Sequence, residues 1–482
     1  MPILVKGDKA MKNIIDQVAG DPSVTGFGAH DAQRVEQLQK ALSISQNYGT
    51  TAPGSLQGGS ALAVEDLDRT LKLVTHGLEH LKLWKDIIKE RITQTVHEYN
   101  VQNSYGQEVS PFFQMGGTPQ QTDANYDREV IQVKYLGTQG QVQHNLTLIQ
   151  AAHGPVIARE VKNKTVELLA RNERSMFEAD SSINSLEYDG IEAQIKAKEA
   201  QSQYKSTAFA GFESAGADES VILDVRGKLD EEVSEDMALK NVNNFGMAMD
   251  CYLGTDVHSR FSKDFYLKQR TLPGETLTSG NRVKEHTGSI DFRFKPSLFN
   301  RPRKSPLAVS VSSGSAPTLA NMASPADAAS EFGSTDAGTY GYKISLVYGD
   351  GETVASAEAS TAVASGDKVT VEISYSGSPL YANVFRSGKD AAGSAWEFIG
   401  RIALLASGSA HNIDYNSIVP GSAKAYLLMH DTDALCWKQL GSMIKYDLAV
   451  TDTSYKWLQL LYGTPLVSAA RKHVIAKNLT LA

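Results

Sequence analysis

Thr93-Gln-Thr-Val-His-Glu-Tyr99 and Glu129-Val-Ile-Gln-Val-Lys-Tyr135 are two alternating runs, and the reading of what they enclose decides the fold. Alternation with period two marks a strand with one buried face. Between the runs lie 29 residues rich in Gly, Gln, Pro and Ser, including Phe112-Phe113 and Gly116-Gly117. Two strands so separated predict a long β-hairpin projecting from a body. A connection of that length without its own core is usually functional or partner-bound. Aromatics on a Gly-rich projection are a liability in a monomer and an anchor in an assembly, so Phe112 and Phe113, with nearby Met115, read as contact residues.

Working outward toward the N-terminus, Leu67, Leu71, Val74, Leu78 and Leu81 form a heptad stripe after the acidic Glu65, Asp66 and Asp68. This predicts a helix ending near Trp84 to Ile88. His76 and His80 stand four apart on it, but without a third ligand they read as ordinary helix residues. Residues 1–60 hold one short amphipathic piece, Asp31 to Leu42, among breakers. They read as an extended arm that needs another surface to lie on.

Toward the C-terminus, Gly154-Pro155 opens a second helix through about Glu178, with Ile157, Val161, Thr165, Leu168 and Met176 on one face. Its i,i+4 pairs are Glu160/Lys164 and Glu167/Arg171, and Arg159 and Arg171 join the candidate assembly contacts. A third helix is expected within 220–249, ending near Asn243-Asn244-Phe245-Gly246, then a short strand at Cys251–Gly254. After Pro306 the composition shifts. Residues 306–427 hold 6 Lys+Arg and 11 Asp+Glu, a net −5 of the chain's −8, and are dominated by Ser, Ala, Gly, Thr and Val. Runs at 340–348, 368–373, 381–386, 396–402 and 411–415 predict an inserted β-sandwich of immunoglobulin size.

The 482 residues are enough for two to four domains. Cys251 and Cys436 are too few for a disulfide framework and read as buried thiols. No apolar run reaches the ~18 residues of a membrane span, and no secretory signal is visible at Met1-Pro-Ile-Leu-Val-Lys-Gly-Asp8. The net charge argues against coating nucleic acid through a basic surface. There is no phosphate loop, dinucleotide fingerprint, nucleophile elbow or zinc-protease helix. Asp414, Asp431 and Asp433 lack the glycine and distal glutamate of a calcium loop and read as solvated turns. No catalytic, cofactor or metal site is expected.

Short pieces and their order carry a resemblance. Gly59-Ser-Ala-Leu-Ala-Val-Glu-Asp-Leu-Asp68, Leu78-Glu-His-Leu-Lys-Leu-Trp84, Tyr188-Asp-Gly-Ile191, Val384-Phe385-Arg386 and Leu461-Tyr-Gly463 with Pro465 and Arg471-Lys472 look like pieces of the major capsid proteins of tailed double-stranded-DNA bacteriophages. The resemblance implies an α+β fold of the Hong Kong 97 phage type with an inserted immunoglobulin-like sandwich. Its parts would be an arm (1–60), a helix and lead-in to the body (61–96), an extended loop (97–137), a spine helix with peripheral domain (138–250), an axial domain (251–305 and 428–482) and the sandwich (306–427). It further implies a non-enzymatic shell protein, self-assembled as pentamers and hexamers with portal, scaffolding and decoration proteins. Made in the host bacterial cytoplasm, it would enclose DNA without reading sequence or touching a membrane. No lysine lies between Glu90 and Lys134, so the loop-lysine crosslink of some members is not expected. An encapsulin-like compartment shell and a secreted or tail-associated carbohydrate-binding protein are the alternatives.

Overall fold

The computed structural model describes residues 74–104, 110, 112–149, 154–199, 220–266, 278–279, 282–286, 290–301, 306, 314–391, 395–450 and 452–480. The chain falls into two units, residues 1–72 with 150–154 and residues 73–149 with 155–482; the sheets, the hairpin and the sandwich all belong to the second. The arm and the first two residues of the heptad stripe, Leu67 and Leu71, lie outside the described residues.

Where that stripe is described, the expected helix is absent. Val74 is exposed, Leu78–His80 is a single 3-10 turn, and the first α-helix among the described residues is the short Leu83–Asp86. Leu81 and Leu83 are buried two apart, and the carboxylate of Glu173 accepts the backbone N–H groups of Lys82 (2.8 Å), Leu83 (3.3 Å) and Trp84 (3.1 Å). A tertiary acceptor thus takes the free donors of a helix start and sets the chain path here against local periodicity.

The body is built on two sheets. A five-stranded sheet is organised by Ser454–Val467, which pairs antiparallel with Lys134–Gln143 on one side and with Ile444–Asp447 and Leu435–Gln439 on the other; Ile88–Arg91 adds parallel to Leu435–Gln439. The helix Val156–Glu178 lies on this sheet, where Gln459 donates to the Val161 carbonyl at 2.9 Å. Gly140 sits opposite Trp457, and a Cβ there would stand 2.3 Å from the indole, so the ring lies flat across the strand. The helix matches the expected span, with Pro155 as N-cap instead of first-turn residue. Glu167 takes both Arg171 (2.6 Å) and Lys164 (2.8 Å), while Glu160 accepts from Asn163 instead of Lys164.

The turn Tyr188-Asp-Gly-Ile191 closes this helix. Tyr188 donates to Asn172 Oδ1 at 2.9 Å, Asp189 accepts the Ser181 N–H at 2.8 Å, and Ile191 is fully buried. Any Cβ on Gly190 would meet three backbone atoms at 3.0 Å, so only glycine allows the approach.

The second sheet has seven strands in the order Ile222–Gly227, Val474–Leu479, Ala423–Leu428, Asp250–Gly254, Ile290–Ser297, Arg282–His286, Thr278–Ser279. This redistributes the expected domains. Residues 222–254 belong with the second sheet, not with the spine helix, and 435–467 belong with the first, because backbone pairing, not chain order, decides membership. Ser220–Met249 is a strand followed by the helix Glu231–Asn243, capped by Asp230. Gly463-Thr-Pro465 forms no turn; it continues the strand Ser454–Val467, and the chain reverses at Ala470–Lys472. Cys251 and Cys436 are free and buried.

Residues 314–422 form two facing sheets. Thr318–Ala323, Val369–Ser374 and Ser409–Asp414 make one; Gly338–Tyr348, Gly351–Glu352, Ala359–Val363, Tyr381–Arg386 and Glu397–Ile402 make the other. All five expected runs are strands, while the expected end at 427 is too late, since Ala423–Leu428 belongs to the seven-stranded sheet. Asp414 is no solvated turn. It is buried and joins the two sheets, accepting from Arg386 at 2.5 Å and from Tyr342 at 3.0 Å. Removing one partner of such a pair leaves an uncompensated buried charge. D414A is therefore expected to lower unfolding free energy by about 3–5 kcal/mol, read from chemical denaturation.

Candidate functional site

The expected hairpin is present. Val96–Ser104 pairs antiparallel with Asn125–Gln132 from Val96↔Gln132 through Ser104↔Asn125. At ~3.3 Å per residue the arms carry the tip roughly 30 Å from their base. Beyond them Phe112, Phe113 and Met115 are 88%, 58% and 104% exposed, so the sequence-predicted contacts stand together at the tip as unburied apolar groups. Arg159 and Arg171 are elsewhere. Arg159 is half-buried in the first turn of the long helix, and Arg171 is exposed but paired with Glu167. The structure does not bring them to the hairpin tip.

The base of the hairpin is fixed by a residue that sequence reading missed. Lys198, on the helix Ile191–Glu199, is buried. Its ammonium reaches Glu129 (2.7 Å) and Tyr99 Oη (2.9 Å), which face each other across the hairpin, and donates to the carbonyls of Val467 (2.6 Å) and Ser468 (3.1 Å). Burial pulls its pKa below the ordinary lysine value, against the raising effect of Glu129. One cation therefore ties both hairpin arms to the body. The same helix is held by Glu192, which accepts from Lys196 (2.6 Å), Lys424 (2.7 Å) and Tyr426 (3.0 Å). Burial opposes its charge, but the two lysines overcome it and hold the carboxyl well below the ordinary range.

A second exposed surface lies on the five-stranded sheet, on the side away from the long helix. The register places Ile444, Leu460 and Gly137 in one row and Tyr446, Leu458 and Gln139 in the next, while Tyr462 sits opposite Tyr135 with ring centroids 5.1 Å apart. Tyr135 and Tyr446 are exposed, and Leu458, Leu460 and Tyr462 are half-buried. The sequence pattern of Trp457–Tyr462 reads as core throughout; that holds for Trp457, Gln459 and Leu461 only.

The densest ionisable cluster sits where the two sheets meet. Lys295 pairs with Asp86 and Asp250 at 2.8 Å each, and Tyr252 donates to Asp86 (2.7 Å) and lies 2.8 Å from His430 Nε2. Burial opposes ionisation of Asp86, but Lys295 and Tyr252 hold its pKa below the ordinary value. Every carboxylate is engaged by a cation or hydroxyl, which is the arrangement of a joint. His473 nearby accepts the Met429 N–H at 3.2 Å. Among the described residues no group of three His, Cys, Asp or Glu is placed to hold a metal, and no helix is long and apolar enough to cross a membrane.

No family model matches the chain. The major capsid protein of Staphylococcus phage K is 22% identical over 92% of this chain and 96% of its own length. Over nearly its whole length the chain is similar to phage major capsid proteins. The putative major capsid protein of Enterococcus phage phiEF24C is 21% identical over 90% of the chain and 93% of its own length. Among solved structures, the capsid of a native GTA particle superposes with a TM-score of 0.44 at 8% identity, covering 90% of this chain and all of that one. The chain is mixed α+β, with few helices and many strands.

Two outcomes test the joints. K198M leaves Glu129 without its cation, and amide exchange in Val96–Ser104 and Asn125–Gln132 is expected to speed up by about tenfold while Val156–Glu178 is unchanged. Burial holds His473 down to about 4, whereas the unfolded chain takes up that proton near the ordinary imidazole value of 6.5. The unfolded state therefore binds more protons in that window, and stability falls as pH drops from 6.5 toward 4. Urea unfolding should show a loss of about 2 kcal/mol between pH 7 and pH 5, with a flatter dependence in H473Q.

Proposed function

We propose that this chain is a major capsid protein that self-assembles into an icosahedral head around double-stranded DNA, and that its hairpin tip packs on the outer sheet face of the neighbouring subunit. The observation that carries this is a pair of orphaned apolar surfaces on one chain: Phe112, Phe113 and Met115 at the tip, and Tyr135, Ile444, Tyr446, Leu458 and Leu460 on the sheet. The tip projects away from its own body, so it meets such a face on a second copy. The contact is then heterologous and generates rings when its rotation closes, which suits pentamers and hexamers.

The subunit acts by packing and performs no catalysis. Portal and scaffolding proteins, and a decoration protein, are the expected partners of such a shell, and the arm of residues 1–60 would lie over a neighbour. The sandwich faces outward, where an insertion avoids lateral contacts. Of the chain's net charge of −8, −5 resides on the outward sandwich of 306–427, so only −3 on the rest of the chain opposes adhesion to the enclosed DNA.

The test is F112S/F113S/M115S in the full chain with its scaffold, read by negative-stain microscopy and sedimentation. Aromatic anchors contribute about 2 kcal/mol or more each, so the critical concentration for shells should rise at least roughly thirtyfold while thermal unfolding of the subunit is unchanged. Y446S/L460S should reproduce the defect from the other side. Normal shells in both variants would remove the proposed contact.

A further inference from the structure

We infer that the inserted sandwich is an intramolecular strut that fixes the orientation of the two sheet modules within one subunit. It is pinned to each module by a separate set of charged hydrogen bonds. At the first pin, Arg401 on Glu397–Ile402 donates to Glu187 at 2.9 and 3.2 Å and to the carbonyl of Glu178, the last residue of the long helix. Its guanidinium also lies over Tyr381 at 5.0 Å. At the second pin, Glu331 accepts from Arg226 at 2.6 Å and from Lys477 at 3.4 Å, and Arg226 donates to the Asn416 carbonyl at 3.0 Å. Asn478 adds a bond to the Ser417 carbonyl at 3.1 Å and accepts the Val419 N–H at 2.9 Å.

The two pins reach different sheets that share one hydrophobic core. Glu178 ends the helix on the five-stranded sheet and Glu187 lies in the segment that follows it, whereas Arg226, Lys477 and Asn478 come from adjacent strands of the seven-stranded sheet. Between the sandwich and the body a cleft of about 210 Å³ stays open, lined by Asp180, Lys196, Arg301, Phe398 and Lys424. Contact at the pins with a gap beside them is the geometry of a strut, not of a domain packed flat on its support. Arg226 and Asn478 also hold left-handed backbone, with φ of 44° and 60°. Such conformations persist in residues other than glycine where the surroundings over-determine them, and here both serve the second pin.

The strut would hold whether or not the shell forms as proposed, so the full chain and its amide exchange test it directly. R401E breaks only the first pin. A strut transmits that loss, so exchange should rise about tenfold in Ile222–Gly227 and Val474–Leu479, at the far pin, and return toward wild type in the swapped pair E187R/R401E. A rise confined to 178–190 and 397–402, with the far strands unchanged, would overturn it. If R401E exchanges everywhere, including Gly338–Tyr348 in the sandwich core, R401K is read by the same two outcomes, since it keeps the charge and loses the planar fork.

Discussion

Both sheets of this subunit close around the strands at 454–467 and 474–479. The first is flanked by residues from 134–143 on one edge and 435–447 on the other, and the second separates 222–227 from 423–428. A backbone ladder whose partners lie roughly 250 to 330 residues apart has no local substitute, because each strand edge left open exposes unpaired donors and acceptors. The long helix, the hairpin base and the sandwich all take their positions from surfaces that exist once these ladders have formed. Even Lys198, which fixes the hairpin, uses the carbonyls of Val467 and Ser468 as half of its coordination.

Buried charge is used here mainly at junctions. Glu173 joins the helix to the lead-in segment, Glu192 joins Ile191–Glu199 to the strand Ala423–Leu428, Lys198 joins hairpin to body, and Asp414 with Arg386 joins the two sheets of the sandwich. Such pairs add little net stability over well-packed apolar residues, but breaking one is costly. Their value lies in specifying a single arrangement of parts that apolar packing alone would leave adjustable.

The range of the forces decides how much of this was legible in the sequence. The hairpin, the helix from Pro155 and the five sandwich strands were legible because alternation, helical spacing and turn residues are local signals. At its described end the stripe misled because Leu81 and Leu83 fill a core and the N–H groups of Lys82, Leu83 and Trp84 meet a tertiary acceptor, while Leu78 is exposed. Pro465 is a strand residue opposite Trp437. The tip aromatics were found because they stand in a polar, Gly-rich context. The partly exposed sheet face was missed because Leu458, Leu460 and Tyr462 alternate with buried residues, and an apolar residue on such a face reads the same as one in a core. Lys198 and Glu173 carry no local mark, since their partners are some 70 to 270 residues away.

The late position of the two closing strands has a consequence for synthesis. A chain released by the ribosome before residue 454 has its hairpin and tip complete but lacks the central strand of one sheet and an interior strand of the other. It presents the exposed apolar tip without a completed body, and its open edges direct it to aggregation or proteolysis. The order of strands along the chain thus delays closure of both sheets until residues 454–479 have been translated.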